Sequence, residues 1–372
     1  MLYNSFAIMY LQELRLLHFK NWEEAQFSFS PKLNAFTGPN GSGKTNVLDA
    51  IHYLSMCKSY FAGSDVGNIK DNEPFLVIEG DFMKNEASSH IYCGLKRGQK
   101  KVFKKNKKEY DKLTEHIGQF PTVVISPYDR DLITDSAELR RRFMDAVISQ
   151  GDHHYLHHLV RYNKAVSQRN ALLKYFAQNR TFDSDSLAMY DEQLDEHGTP
   201  VFEKRKFFTE RLTPKLQDYY QQIAGHESPG LSYQSALSDK PIRTLLEENL
   251  PKDRLNQYTG VGVHRDDLSF KLNGRPVKRY GSQGQQKSFL IALKLAQYDF
   301  LKEEQETKPV LLLDDIFDKL DEERVEHLVR LVSSENFGQI FLTDTHPERT
   351  EPLVKKIHSE AKIFNTAQYE ER

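Results

Sequence analysis

Between residues 11 and 37 apolar side chains recur at every second position, Leu14 and Leu16 and then Phe27 and Phe29, with charged or small polar residues between them. A period of two places one face of a strand in a core and the other in water, so this segment predicts short strands, the last running into a glycine loop at Gly38. NVLDAIHYL then shifts to the wider spacing of an amphipathic helix. Residues 75–110 return to strand texture in FLVIEGDF, HIYCGLK and KKVFKKNKK, read as an antiparallel set with a turn near Asn106. PTVVIS predicts one more short strand, ending at Pro127.

The texture changes at Ser136. From there to about Asn249 the spacing is helical, and Asp135 with Glu138 fits a capping box at its start. A third helix, PVFEKRKFFTERLTPKLQDYYQQIAG, is expected to be interrupted at Pro214. Strand texture returns in DDLSFKLNGRPV, where Asn273-Gly274 signals a hairpin turn. A second glycine stretch, the helix QQKSFLIALKLAQYDFLKEE and the apolar strand PVLLLDD follow. The helical insert is too short for a long antiparallel coiled coil, which needs many heptads.

Composition narrows the class. The chain has 372 residues, 28% charged and 38% hydrophobic, with 51 Lys+Arg against 53 Asp+Glu. That describes a soluble globular protein of two to three domains, and no apolar run nears the roughly 18 residues a membrane helix needs. MLYNSFAIMYL has neither a basic region nor a small-residue cleavage site, so no signal peptide is expected and the location is read as cytoplasmic. Met9 would also serve as an initiator, leaving residues 1–8 as a frayed tail. Cys57 and Cys93 have no CxxC partner; they are read as reduced thiols, implying neither zinc nor a disulfide framework.

Three stretches carry chemistry. In Gly38, Pro39, Asn40, Gly41, Ser42, Gly43, Lys44 and Thr45, the glycines let successive N–H groups face one anion at the mouth of a helix. Lys44 is expected to reach the β/γ-phosphates of a nucleoside triphosphate such as ATP, and Thr45 to ligate Mg²⁺. VLLLDD ends a buried strand in two carboxylates. Asp314 is read as holding the Mg²⁺ through water, and Asp315, aimed to the other side, as polarising the attacking water; a solvated loop start is the plain alternative. In GSQGQQ, Ser282 and Gly284 present a hydroxyl and bare N–H groups at a second helix start, with Gln285 beside them. One nucleotide does not need two phosphate cradles unless they come from different molecules.

GPNGSGKT, then SQGQQ about thirty residues before VLLLDD, then LDEE, resembles the ATP-binding-cassette ATPases, with SQGQQ standing where that family's signature stands. The resemblance implies that Ser282, Gly284 and Gln285 cover ATP held by the glycine loop of a second copy in a head-to-tail homodimer. HFKNW, GPNGSGKTNVLDAI, CKSYF, ISPYDRDLI, ELRRRFMD, GVHRDDL, YGSQGQQKS and LLLDDIFDKLD together are similar, over nearly the whole chain, to the RecF family of bacterial DNA-repair ATPases related to SMC heads. What this implies is an α/β fold: an ABC-type ATPase head with a P-loop mixed sheet and an antiparallel sub-sheet, plus an inserted helical domain. Its expected boundaries are 1–135 and 256–372 for the head and 136–255 for the insert. Leu320-Asp321 are expected at the partner's nucleotide site, and Asp344 and His346 compete for the γ-phosphate switch. Asp315 stands where many relatives have Glu.

The same resemblance implies an ATP-driven dimer on double-stranded DNA and at single-strand/double-strand junctions, with weak, DNA-stimulated ATP hydrolysis. RecR with RecO are the implied partners in loading RecA. From Lys96 to Lys108, eight of thirteen residues are Lys or Arg, so Lys100, Lys101, Lys104, Lys105, Lys107 and Lys108 are expected on phosphates. Arg140 and Arg141 are expected either on DNA or as internal braces. His153, His154, His157 and His158 are read as a polar helical face. An ABC head from a nuclease or SMC-like system is the rival reading, and a transporter subunit a weaker one, since the lysine-rich hairpin and helical domain have no place in it.

Overall fold

A computed structural model describes residues 6–225, 227–315 and 328–367. The chain forms two compact units, one from residues up to Asp129 together with those from Gln297 onward, the other from Arg130–Ala296.

The first unit holds two sheets. Strands β1 (Met9–Phe19), β2 (Trp22–Ser28), β4 (Phe75–Lys84), β5 (Ala87–Lys96), β6 (Val102–Lys105) and β7 (Lys108–Glu109) pair in the order β2-β1-β4-β5-β6-β7. All of these pairings are antiparallel. Strands β3 (Leu33–Thr37), β8 (Thr122–Ile125), β12 (Val310–Leu313), β13 (Ile340–Asp344) and β14 (Lys362–Asn365) pair in parallel, in the order β14-β3-β13-β12-β8. The head is thus α/β as expected, with the strands of opposite sense gathered in their own sheet. Every residue of β3, β8, β12 and β13 is buried, as a parallel sheet covered on both faces requires. Edge-to-face rings close the core around Phe29, with Phe341 at 4.8 Å and Phe36 at 6.2 Å.

A buried amide joins the two sheets. The register of β1 shifts between Leu11 and Glu13, which would orphan the Leu11 backbone. Gln339 answers it: Leu11 N–H donates to its Oε1 at 2.7 Å, and its Nε2 donates to the carbonyls of Leu11 and Ser30, both at 2.8 Å.

The second unit is mainly helical, with α2 (Asp131–Thr134), α3 (Ala137–Gly151), α4 (His153–Asn179), α5 (Ser184–Ala224) and α6 (Ile242–Asn256). It also contains the sheet β11-β10-β9, formed by β9 (Pro229–Gln234), β10 (Asp267–Leu272) and β11 (Arg275–Pro276). The short α7 (Val277–Tyr280) and most of α8 (Gln283–Gln305) complete it. Two expectations change here. Helix α5 runs through Pro214 without a break, because Phe208, Leu212, Leu216 and Tyr220 form one fully buried stripe across it. The proline itself is exposed, where water meets the freed carbonyl. At α3 the cap is Ser136, whose N–H donates to Asp135 Oδ1 at 2.7 Å, while Glu138 pairs with Arg142 instead of closing a capping box.

The boundaries also differ. Residues 256–296, expected with the ATPase lobe, belong to the helical unit. Pairing explains this: β10 lies against β9 in full register, and Arg205, buried on α5, donates to the Val263 carbonyl at 2.7 Å, to Asp145 at 2.8 Å and to Asp266 at 3.3 Å.

Candidate nucleotide site, signature loop and basic surfaces

Strand β3 delivers the chain into the glycine loop, and α1 (Lys44–Met56) receives it. The turn needs glycine at Gly43, which has φ 95° and caps the helix. A side chain there would lie 2.6 Å from the Asn21 amide and 2.8 Å from the Trp22 indole nitrogen. Trp22 Nε1 donates to the Gly43 carbonyl at 3.3 Å, so the β1–β2 turn supports the loop from beneath. Gly38, with φ 146°, lies against Thr366, and a Cβ would come within 2.6 Å of Thr366 Oγ1. That hydroxyl donates to the Thr37 carbonyl at 3.1 Å and shares a 2.6 Å hydrogen bond with Ser42 Oγ.

Lys44 is buried and folded onto its own loop, its ammonium donating to the carbonyls of Gly38 at 2.7 Å and Pro39 at 2.8 Å. Burial pushes its pKa down, against the pull of Asp315, Asp314 and Asp344. The cation is thus held among carboxylates and backbone oxygens.

At the end of β12, Asp314 is buried and accepts from Thr45 Oγ1 at 2.8 Å, Thr343 Oγ1 at 3.0 Å and Ser126 Oγ at 3.4 Å. Burial raises its pKa, and the hydroxyls oppose the rise. A hydroxyl and a carboxylate oxygen 2.8 Å apart are hard donors of the kind Mg²⁺ takes, so Thr45 and Asp314 fit that ion. Asp315 departs from strand geometry, with φ 45°, and its N–H donates to Thr343 Oγ1 at 2.9 Å. The strand alternation used to aim its side chain therefore ends at Asp314.

The two switch candidates separate. Asp344 is buried at the end of β13, where Arg349 donates to both its oxygens at 2.9 Å and the Thr350 hydroxyl also donates to it. His346 is exposed, its Nδ1 3.0 Å from Glu348 Oε1. Leu320-Asp321 lie outside the described residues.

In the second unit, Ser282 and Gln285 form a reciprocal cap at the start of α8. Gln285 N–H donates to Ser282 Oγ at 3.2 Å, and Ser282 N–H donates to Gln285 Oε1 at 2.7 Å. Gln285 also donates to Glu227, so its amide is committed within the chain and does not stand free for a nucleotide. Ser282 and Gly284 are exposed, and a Cβ on Gly284 would meet only Ser282 Oγ at 4.0 Å.

The expected DNA contacts divide sharply. Lys101 is turned inward, donating to Asp65 at 2.8 Å, Tyr53 Oη at 3.1 Å and the Cys57 carbonyl. Lys105 donates to Gln119 at 2.7 Å, and Lys104 lies over the Tyr92 ring at 5.5 Å. Lys96, Lys100, Lys107 and Lys108 point to solvent. Arg140 is a brace, with Nε donating to Asp267 at 2.7 Å and Nη2 at 3.0 Å, and Arg141 donates to the Asp266 carbonyl at 2.6 Å. Both guanidiniums therefore have donors committed within the chain. In the histidine group, His158 lies 3.2 Å from His197 on α5.

Sequence spacing assigned no role to Asn21, Trp22, Ser126, Thr343 or Thr366. Nor did it show that Asp49 on α1 accepts from Ser59 Oγ at 2.6 Å, Tyr60 N–H at 2.7 Å and Lys20 at 2.6 Å, while Tyr60 donates to Asp129. HFKNW, CKSYF and ISPYDRD contain several of these residues, and only folding reveals that they converge on the glycine loop.

A parallel sheet feeding a glycine loop, with a hydroxyl-bound aspartate at the end of β12, two strands along from β3, and a capped serine loop on a separate unit, defines an ABC-type ATPase head. Residues 10–368 match the model of the RecF/RecN/SMC N terminal domain. The chain is 56% identical to the DNA replication and repair protein RecF of Flavobacterium johnsoniae, over 96% of this chain and 100% of the relative. It is 48% identical to RecF of Phocaeicola vulgatus over 96% of each. A solved structure of the recombination mediator protein RecF with ATP, in the RecFOR pathway, superposes with TM-score 0.87 at 31% identity, covering 92% of this chain and 94% of that one. An Smc head from Pyrococcus furiosus shares the fold, with TM-score 0.54 at 17% identity over 93% of this chain and 92% of that one. The chain belongs to the RecF family of DNA replication and repair proteins.

Proposed function

We propose that this chain is an ATP-dependent DNA-binding protein of recombinational repair and replication, in which each nucleotide site is completed by a second copy. The observation carrying the composite site is the exposed, capped loop at Ser282–Gly284. Among the described residues only Ser282 Oγ, at 4.0 Å, would meet a side chain at Gly284, so its missing side chain serves an approach from outside. The Ser282 hydroxyl and the first N–H groups of α8 form a small-donor surface suited to a γ-phosphate.

In its own glycine loop, Lys44 exchanges the Gly38 and Pro39 carbonyls for the β/γ-phosphates of ATP. Thr45 and Asp314 hold Mg²⁺, which supplies charge neutralisation at the phosphates when bound. Asp315 orients and polarises water. With Asp344 committed to Arg349 and Thr350, the exposed His346 is the better γ-phosphate sensor. Asp315 is shorter than the glutamate of many ABC relatives, which supports slow hydrolysis acting as a conformational switch; stimulation by DNA is part of the same reading.

The outward lysines of the β5–β6–β7 hairpins, Lys96, Lys100, Lys107 and Lys108, support sequence-independent contact with double-stranded DNA and its junctions. The solved relative works in the RecFOR pathway, which supports RecR, with RecO, as partners; RecA loading and a cytoplasmic location complete the reading. No described helix is long and apolar enough to cross a membrane. Light scattering and a DNA gel shift, each with and without ATP and Mg²⁺, test the reading. ATP should raise the dimer fraction and strengthen the shift; a chain that binds ATP yet keeps the same mass and the same DNA affinity would exclude it.

A further inference from the structure

Between Lys271 and Tyr280 the chain leaves β10, turns at Asn273-Gly274, passes through β11 and ends in α7. This stretch carries four cations, Lys271, Arg275, Lys278 and Arg279, and no carboxylate. The aliphatic and phenylalanine side chains of β10 and of the stretch after it are buried: Leu268, Phe270 and Leu272 on one face of β10, and Val277 at the start of α7. That packing turns the cations outward, leaving Arg275, Lys278 and Arg279 exposed and Lys271 half-exposed.

Other surface cations in this unit do pair with acids, such as Lys240 with Glu248 at 2.6 Å and Arg142 with Glu138 at 2.5 Å. Among the described residues, none of these four meets a carboxylate. The nearest acid on the same strand, Asp267, is held by Arg140. Tyr280 is 55% exposed, and the guanidiniums of Arg275 and Arg279 lie 5.7 and 5.4 Å from its ring centroid. Unbalanced cations gathered about one exposed phenol repel one another, and a polyanion relieves that repulsion. Guanidiniums and a tyrosine hydroxyl are phosphate donors.

The patch is also joined to the loop that carries Ser282. The Val277 carbonyl accepts from Gly281 N–H at 2.9 Å, and Gln286 Nε2 donates to the Gly281 carbonyl at 3.2 Å. We infer that Lys271–Tyr280 is a second DNA contact, binding the phosphate backbone of duplex DNA without sequence preference, and that it transmits DNA occupancy to the signature loop. This rests on the reading of the chain as a DNA-binding ATPase given above.

The test uses the full-length chain with Arg275→Glu and Arg279→Glu together, set beside Arg275→Lys with Arg279→Lys. Affinity for a labelled random-sequence duplex is followed by anisotropy across salt, and ATP hydrolysis is measured with and without DNA. The glutamate pair should bind at least about tenfold more weakly near 0.1 M salt. Its slope of log affinity against log salt should be shallower by roughly two, since each phosphate contact contributes about 0.9. DNA stimulation of hydrolysis should fall with it, while the lysine pair keeps the slope. Wild-type affinity and slope in the glutamate pair, or a lysine pair equally impaired, overturns the inference. Should the glutamate pair not fold, Lys271→Gln with Lys278→Gln at neighbouring positions reads the same slope. A glutamate pair that keeps DNA but no longer dimerises with ATP would make the patch a protein-docking face, and the inference would be wrong. A wild-type chain that binds no duplex sinks the function proposed above; wild-type binding with unaffected variants sinks this patch alone.

Discussion

What a basic or titratable side chain does here is decided by what it can reach. Lys100 and Lys101 are neighbours in a uniformly basic run, yet Lys100 faces water while Lys101 is locked to Asp65, Tyr53 and the Cys57 carbonyl. No periodicity separates them, because Lys101 finds its partners on α1 and the loop after it. His116 shows the same dependence with a measurable consequence. Its Nε2–H donates to the Leu54 carbonyl at 2.6 Å, and its Nδ1 lies 3.1 Å from the Tyr110 hydroxyl, so the neutral ring satisfies both nitrogens. Burial holds its pKa down to about 4. The folded value lies below the unfolded one, so the unfolded chain binds the extra proton. Stability is therefore full above about pH 6.5 and is lost as pH falls toward 4, by about 3 kcal/mol at the lower end. Thermal melts from pH 7.5 to 4.5 should show this loss, and His116→Gln should have a flatter profile. An equal pH dependence in the variant would remove His116 as a source of acid sensitivity.

Elements were more legible than the joints between them. The apolar runs of β3, β8 and β12 and the helix after each glycine stretch follow from period and turn chemistry. The pairing order of β14-β3-β13-β12-β8 does not, since it joins segments far apart in the chain. Pro214 misled for a related reason: a local penalty was outweighed by a buried stripe of four side chains contributed by the whole of α5. At α8 the stretch read as a signature, SQGQ, is also a reciprocal cap. Ser282→Arg should therefore have two separable effects. Loss of the cap costs about 1 kcal/mol and lowers the melting temperature slightly. The bulky cation also blocks the phosphate-facing surface, so the variant should bind ATP at its own intact Gly38–Thr45 loop and remain monomeric in light scattering. Asp315→Asn should do the reverse, binding ATP, hydrolysing it poorly and persisting as a dimer. If Ser282→Arg dimerises with ATP like the parent, the signature assignment is lost.

At the scale of the proposed assembly, the two units would supply complementary halves of a site that a second copy completes. The glycine loop, Asp314 and His346 belong to the first unit, and Ser282 and Gly284 to the second. A head-to-tail pair would bring the first unit of each copy to the second unit of the other, which makes the defects of two variants assignable to sites. Lys44→Ala removes the mobile cation of the glycine loop and should abolish ATP binding on its own chain. Ser282→Arg leaves that loop intact and damages what its chain offers to a partner. In a mixed dimer, one site combines both defects, and the other combines an intact loop with an intact signature. Each variant alone should be inactive, while the mixture should recover ATPase activity from its single sound site. Activity should rise with the fraction of mixed dimers, measured by differential tagging and co-purification. Mixed dimers that form and remain as inactive as their parents would show that Ser282 does not act on a partner's nucleotide, and the composite-site reading would fall with it.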